Sequence, residues 1–349
     1  MANKPYDCDT RVIRFLFCIN MEELQLNRII NGRVVLVHKR MYRVATSYGE
    51  ILCTVSGKFR YQVLSLAAYP AVGDYVELEL QAQENKGVIH QVLPRKSVFS
   101  RHHAGMKTDE QVIATNIDML WIVTSMNEDF NMARLQRYVI GAKQSGAIPF
   151  IVLTKADECH DIAPFIQSLR TFHTMDYEIV SAINGQGLQR LHKFLQEGNT
   201  VAVVGSSGVG KSTLVNALLQ QEKMRTSEIR ANDAMGRHTT THRELIAVGQ
   251  GCIIDTPGMR ELQLWANEEE ITTNFEEVER LSASCQFRDC THQATIKGCA
   301  VQQAIKDDEL AETQLKSYFK MQREAQLQMK RRQEQERIND RKRNKRKRL

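Results

Sequence analysis

One run of eight residues constrains this chain more than any other: Gly205-Ser206-Ser207-Gly208-Val209-Gly210-Lys211-Ser212. It lies between an apolar strand-like run, VAVV at 201–204, and a helix-like run, STLVNALL at 212–219. A strand, a Gly-rich loop and a helix in that order make the setting in which a backbone cradles phosphate. The glycines admit close approach of a phosphate, and the amides at the helix start supply donors and the positive end of the helix dipole. In this reading Lys211 reaches the β- and γ-phosphates, and Ser212, with Thr213 beside it, meets Mg2+.

Two further segments complete a nucleotide-dependent switch. Asp255-Thr256-Pro257-Gly258 ends the apolar run CII, and an acid there needs a charged partner such as hydrated Mg2+. The Gly258 amide is then placed to approach the γ-phosphate. Between the P-loop and Asp255 lies Gly236-Arg237-His238-Thr239-Thr240-Thr241-His242, with Thr239 and Thr240 as candidates to close on the metal. A base reader comes from Thr154-Lys155-Ala156-Asp157 after the run PFIVL, joined by Ser181-Ala182 after EIV. A carboxylate at Asp157 accepts from guanine N1–H and its 2-amino group, which adenine does not offer, and Lys155 lies along the base. Alone this tetrapeptide is a weak signal; beside a P-loop it favours GTP over ATP.

The order is unusual. The base reader precedes the P-loop, the reverse of ordinary GTPases. A sheet tolerates that if its old ends are joined and new ends are opened at the surface.

The rest of the chain divides around this centre. Residues 1–26 form an extension with no clear pattern. Residues 27–105 carry five short alternating apolar runs punctuated by glycines, as in a small all-β barrel of the oligonucleotide-binding type. Lys58, Arg60, Lys86 and Arg95 either face RNA there or are simply solvated. Residues 106–267 alternate near-continuous apolar strands with helices, an α/β pattern with a parallel sheet covered on both faces. Residues 268–329 turn polar and helical, and from Asp307 they read as one exposed helix. The tail 330–349 holds eleven Lys/Arg against three acids, so the whole basic excess of a chain of net charge +6 lies there. That block is either an arm for a polyanion or a solvated end.

Of eight cysteines, three cluster with a histidine as Cys285-x4-Cys290-x-His292-x6-Cys299. Three thiolates and an imidazole close a tetrahedral set, so one structural Zn2+ is expected; redox pairing is the alternative. The chain has no run of 18 uncharged apolar residues, and its first ten residues contain two acids and no apolar core. Neither a membrane span nor an export signal is expected, and the location is read as cytoplasmic.

This combination resembles the circularly permuted, small ribosomal subunit-dependent GTPases of bacterial ribosome assembly, the RsgA or YjeQ family. The likeness runs through Gly73-Asp74, Thr115-Asn116-Ile117-Asp118, the permuted motifs, the His-Thr-Thr-Thr switch and Cys-x4-Cys-x-His. It implies slow GTP hydrolysis accelerated by the small subunit, a role in late maturation, contact with rRNA, and a monomeric protein. Thr154 stands where the family more often has Asn, and the spacing before Cys299 is one residue longer than the family's. Met259 follows the Asp-x-x-Gly motif and cannot orient a water as a glutamine would. His238 is the catalytic candidate, supported by the resemblance, with His242 second; a docking role for His238 stays open. Two other functions remain: a GTP-gated RNA binder whose hydrolysis serves only release, and a GTPase acting on another RNA.

Overall fold

The computed structural model describes residues 29–63, 65–81, 86–102, 110–170, 175–219, 243–256 and 275–346. Residues 1–26, the switch with His238, Thr239, Thr240 and His242, and Gly258 with Met259 lie outside the described residues.

Strands β1 (Ile29–His38), β2 (Met41–Thr46) and β3 (Gly49–Val55) form a meander, followed by the short helix α1 (Gly57–Gln62), β4 (Tyr75–Gln81) and β5 (Lys86–Val92). Alternation of buried and outward residues along β3 and β4 gives each strand one core face. Val34, Val44, Ile51, Val76, Leu78 and Ile89 fill the interior. The barrel closes because β1 pairs with β2 on one side and with β4 on the other, while β5 joins β3 to β4. Arg95, a candidate RNA contact, is used internally. It grips the fully buried Asp74 with two hydrogen bonds, 2.8 and 2.7 Å, and donates to the carbonyls of Ala67 and Tyr69.

A hairpin of β6 (Val98–His102) and β7 (Glu110–Thr115) follows, which the sequence pattern does not announce. The α/β part then runs β8 (Met119–Ser125), α2 (Met132–Ser145), β9 (Ile148–Thr154), α3 (Ala163–Leu169), β10 (Tyr177–Ile179), α4 (Leu188–Gln196), β11 (Thr200–Val204), α5 (Lys211–Leu219), β12 (Glu244–Val248) and β13 (Gly251–Asp255). Its strand order is β10-β9-β8-β11-β13-β12. Strands β8, β11 and β13 are buried along their whole length because both faces are covered. Leu120 and Ile122 of β8 face one core, with α2, while Trp121 and Val123 face the other, with α4 and α5. The sheet departs from the parallel expectation at one strand: β12 turns back through Gly249-Gln250 and pairs antiparallel with β13.

That edge strand does not end the sheet. Leu36 of β1 pairs with Glu244 of β12, so barrel and α/β sheet form one array of 11 strands. The seam beneath is polar and satisfied. Arg33, 3% exposed, donates to Thr200 Oγ1 at 2.9 Å and more loosely to the carbonyls of Asn116 and Gly73. Asn116 accepts from Lys96 N and donates to Gly73 O, and Asp118 accepts from Thr200 N at 2.8 Å. A Cβ at Gly73 would fall on the Thr115 carbonyl, and its φ of +97° disfavours any other residue.

The chain ends in α6 (Glu276–Ala283), α7 (Ala300–Lys306) and α8 (Glu312–Arg346). The expectation of an exposed final helix fails from Leu315 to Ala325. Leu315, Tyr318, Met321 and Ala325, at three- and four-residue spacing, are buried in the same core as Leu135 and Tyr138 of α2. Each large side chain so buried contributes about 1.5–3 kcal/mol, enough to dock a helix of otherwise polar composition. Arg137 of α2 meets Glu324 at 3.5 Å on the rim of this contact. No described helix is long and apolar enough to cross a membrane.

Candidate functional site

The parallel strands β8, β9, β10, β11 and β13 end on one edge, where loops of an open α/β sheet receive ligands. Residues 205–210 follow β11 and lead into α5. Gly205 must be glycine: its φ is +152° and a Cβ there would fall on the Val123 carbonyl. Lys211 is 7% exposed, and its Nζ donates to the carbonyls of Gly205 at 2.9 Å and Ser206 at 2.5 Å. Burial lowers its pKa to about 8, against the charge of Asp255, which raises it. Asp255, 1% exposed, ends β13, and Thr256 Oγ1 is fixed to the Val203 carbonyl at 2.6 Å. The Ser206 hydroxyl is buried and has no hydrogen-bond partner among the described residues. A half-buried hydroxyl at Ser212 and a carboxylate at Asp255 are hard oxygen donors of the kind Mg2+ takes.

The base-reader segment reaches the P-loop directly. Thr154, 3% exposed at the end of β9, donates its hydroxyl to the carbonyl of Val209 at 2.6 Å. The turn that follows places Lys155 at φ +63°, with its ammonium 3.3 Å from Glu158. Ala156 N donates to Val180 O, so the turn is also tied to the segment carrying Ser181 and Ala182. Ser181 is fully buried; its carbonyl accepts from Gly185 N and its hydroxyl from Asn184 N. Asp157 is exposed at the rim. The structure thus brings 154–157, 181–182, 205–213 and Asp255 to one edge.

The second centre is separate. The ligand atoms of Cys285, Cys290, His292 and Cys299 lie within 4.8 Å of one another, a group able to hold a metal ion. His292 Nδ1 is 3.6 Å from Cys285 Sγ and 3.5 Å from Cys299 Sγ, and the two sulfurs are 3.9 Å apart. Burial raises the Cys285 thiol, but hydrogen bonds from the Val301 and Ala300 amides and the neighbouring thiols outweigh it and leave the pKa lowered. The apolar residues around the cluster join the α/β core: Phe275, Val278, Val301 and Ala304 pack with Tyr318. Two residues here escaped the sequence reading. Arg33 carried no signal beyond its charge, and Ser282, three residues before Cys285, could have been found only by asking what supports a ligand.

A family model described as RsgA GTPase matches residues 92–265. The small ribosomal subunit biogenesis GTPase RsgA 2 of Lactiplantibacillus plantarum is 46% identical over 300 residues, covering 85% of this chain and 84% of that protein. The chain belongs to the RsgA GTPase family. It is therefore a GTP hydrolase with a guanine-nucleotide site. RsgA of Opitutus terrae is 42% identical over 304 residues, 84% of this chain and 83% of its own length. The crystal structure of YjeQ from Thermotoga maritima superposes with a TM-score of 0.61 at 28% identity, over 85% of this chain and 99% of that one. That of YloQ, a circularly permuted GTPase, shares the fold with a TM-score of 0.57 at 23% identity, over 86% and 96%. A model described as ABC transporter also matches residues 188–344. That span includes the P-loop, which both families use, and the RsgA likeness over most of the chain decides the membership.

Proposed function

We propose that this chain binds the small ribosomal subunit and acts in its late maturation, hydrolysing GTP to GDP and phosphate under stimulation by the subunit. The observation that carries the nucleotide half is the 2.6 Å bond from Thr154 to the Val209 carbonyl, which joins base reader and P-loop into one cradle. The subunit half is supported by relatives named for small-subunit biogenesis that match over most of their length.

In this reading Thr154, Lys155, Ala156, Asp157, Ser181 and Ala182 hold the guanine. Gly205 to Thr213 wrap the phosphates. Lys211 gives up its two carbonyl contacts to neutralise charge on the transferring phosphoryl group. Ser212 and Asp255, with Thr239 or Thr240, are the residues to hold Mg2+, which supplies further positive charge against the phosphates. The Gly258 amide meets the γ-phosphate. His238 orients the attacking water, and slow turnover follows if the subunit is needed to order that loop.

Zinc is the metal we assign to Cys285, Cys290, His292 and Cys299. Bond lengths of about 2.3 Å to sulfur and 2.0 Å to nitrogen in a tetrahedron give ligand–ligand edges of about 3.5–3.8 Å. The 3.5 and 3.6 Å nitrogen–sulfur edges match that figure, the 3.9 Å sulfur–sulfur edge is slightly longer, and all four atoms lie within 4.8 Å of one another. Barrel, zinc domain and basic tail grip rRNA through phosphates, the protein acts as a cytoplasmic monomer, and binding weakens with salt.

The test is GTP turnover by the purified protein, alone and with small subunits, with large subunits and tRNA as controls. Stimulation by small subunits alone is expected. Turnover that no subunit changes, in a protein that binds GTP, overturns the reading and leaves a binding switch or another activator.

A further inference from the structure

The hydroxyl of Ser282 stands between two partners, and counting its protons assigns a role. Ser282 Oγ is 2.7 Å from the carbonyl of Val278, one turn earlier on α6, and 3.0 Å from His292 Nε2. A serine hydroxyl has one hydrogen and a carbonyl has none to give, so that hydrogen lies on the Val278 bond. The contact to the imidazole is then a hydrogen bond only if Nε2 carries the proton and donates it. A neutral ring protonated at Nε2 has its lone pair at Nδ1. That is the nitrogen 3.6 and 3.5 Å from Cys285 Sγ and Cys299 Sγ.

We propose that Ser282 is a positioning residue for the metal centre: through the Val278–Ser282–His292 chain it fixes the Nε2–H tautomer and the ring orientation, presenting Nδ1 to a divalent cation of the zinc class. The inference rests on reading the four-residue cluster as a metal site.

The surroundings make this an oriented ring. Phe319 of α8 stacks against the imidazole at 6.1 Å and 29°. Gln302 Nε2 donates to the His292 carbonyl at 2.7 Å, and Gln302 N donates to Cys299 Sγ at 3.4 Å. His292 takes a φ of +51°. Ser282 lies in the last turn of α6, and Cys285 follows just beyond the end of that helix. Such outer partners typically change metal affinity by about 10–100-fold when removed. A serine bonded to the carbonyl four residues back is also a common helix ornament, and in that case the imidazole contact carries nothing.

The experiment uses the full chain. Zn2+ content is first measured by elemental analysis, then Zn2+ affinity by competition with a chromogenic chelator, for wild type, Ser282→Ala and Ser282→Thr. Co2+ loading reports the ligand set by its absorption bands, and GDP affinity serves as the control for folding. We expect about tenfold weaker Zn2+ binding in S282A, near wild-type binding in S282T, a three-thiolate Co2+ spectrum in all three, and unchanged GDP affinity. Unchanged Zn2+ affinity in S282A overturns the role of Ser282 and leaves the metal site standing. A wild-type chain that takes up no metal overturns the site itself. If S282A does not fold, long-range 15N–1H spectra of His-labelled wild type with Zn2+ decide: protonation at Nε2 with the metal at Nδ1 supports the proposal, and the reverse overturns it.

Discussion

Arg33, on the first strand of the barrel, donates a 2.9 Å hydrogen bond to the hydroxyl of Thr200, the first residue of the strand that runs into the P-loop. A buried guanidinium thus ties the barrel to the α/β part beside the apolar contact that Val35 and Val72 make with the α/β core. Arg33→Ala strips the donors from Thr200, Asn116 O and Gly73 O together. Bonds to a charged group are worth about 1.5–3 kcal/mol each, partly offset by no longer burying the charge. We expect a net loss of about 2–3 kcal/mol, read as a lower denaturant midpoint, with barrel unfolding separated from unfolding of the α/β part. A single transition at the wild-type midpoint would show that the seam holds without it.

Thr154 tests the cradle. Thr154→Val keeps the shape and removes the bond to Val209 O. A neutral hydrogen bond of about 1 kcal/mol or slightly more corresponds to a several-fold to tenfold loss of GDP and GTP affinity. Thr154→Ser retains the hydroxyl and should bind as wild type. Equal affinities for all three, measured with a fluorescent guanine nucleotide, would disconnect base reader from P-loop.

Lys211 predicts a pH dependence. Burial sets its pKa at about 8 in the nucleotide-free protein, and bound phosphates raise it. A group whose pKa is higher in the complex takes up a proton on binding. Affinity is therefore full below about 8 and falls as pH rises beyond it, by about tenfold per unit until the pKa of the complex is reached. GDP affinity measured from pH 6.5 to 9 should be level and then decline by about tenfold, with proton uptake visible by calorimetry in buffers of different ionisation enthalpy. Lys211→Met should bind weakly with a flat profile. A decline equal in both would place the titrating group elsewhere.

The basic end of α8 is tested by deletion. Among the described side chains of that helix the last buried one is Ala325, and Met329 is already 57% exposed. Deleting 330–349 should leave the melting temperature within about 1 °C, since few contacts are lost. Small-subunit affinity should fall, and its salt dependence should become shallower as phosphate contacts disappear. An unchanged salt slope would make the tail a solubility segment.

The sequence made legible whatever is local. The runs MLWIVTS and ELIAV are strands β8 and β12 residue for residue, because uninterrupted apolar stretches of that length have no other stable use in a covered sheet. It could not say that β12 reverses, since burial on both faces erases the alternation that distinguishes strand directions. The docking face of α8 was hidden for a different reason: Leu315, Tyr318, Met321 and Ala325 are diluted by Lys, Gln and Glu, and only a partner surface reveals them as one stripe. At the candidate site, the meeting of Lys211 with Asp255 and the clustering of Cys285, Cys290, His292 and Cys299 were readable from residue type and spacing. Ser282 and Arg33 were not, because each acts through contacts that exist only after folding.

Because β1 pairs with β4 at one end and β12 at the other, the barrel is also the guard of the α/β sheet's flank. Cut away, it would uncover the Glu244 end of β12, beside apolar Leu245, to another chain's strand. The barrel thus shields that end of the neighbouring sheet whatever else it contacts.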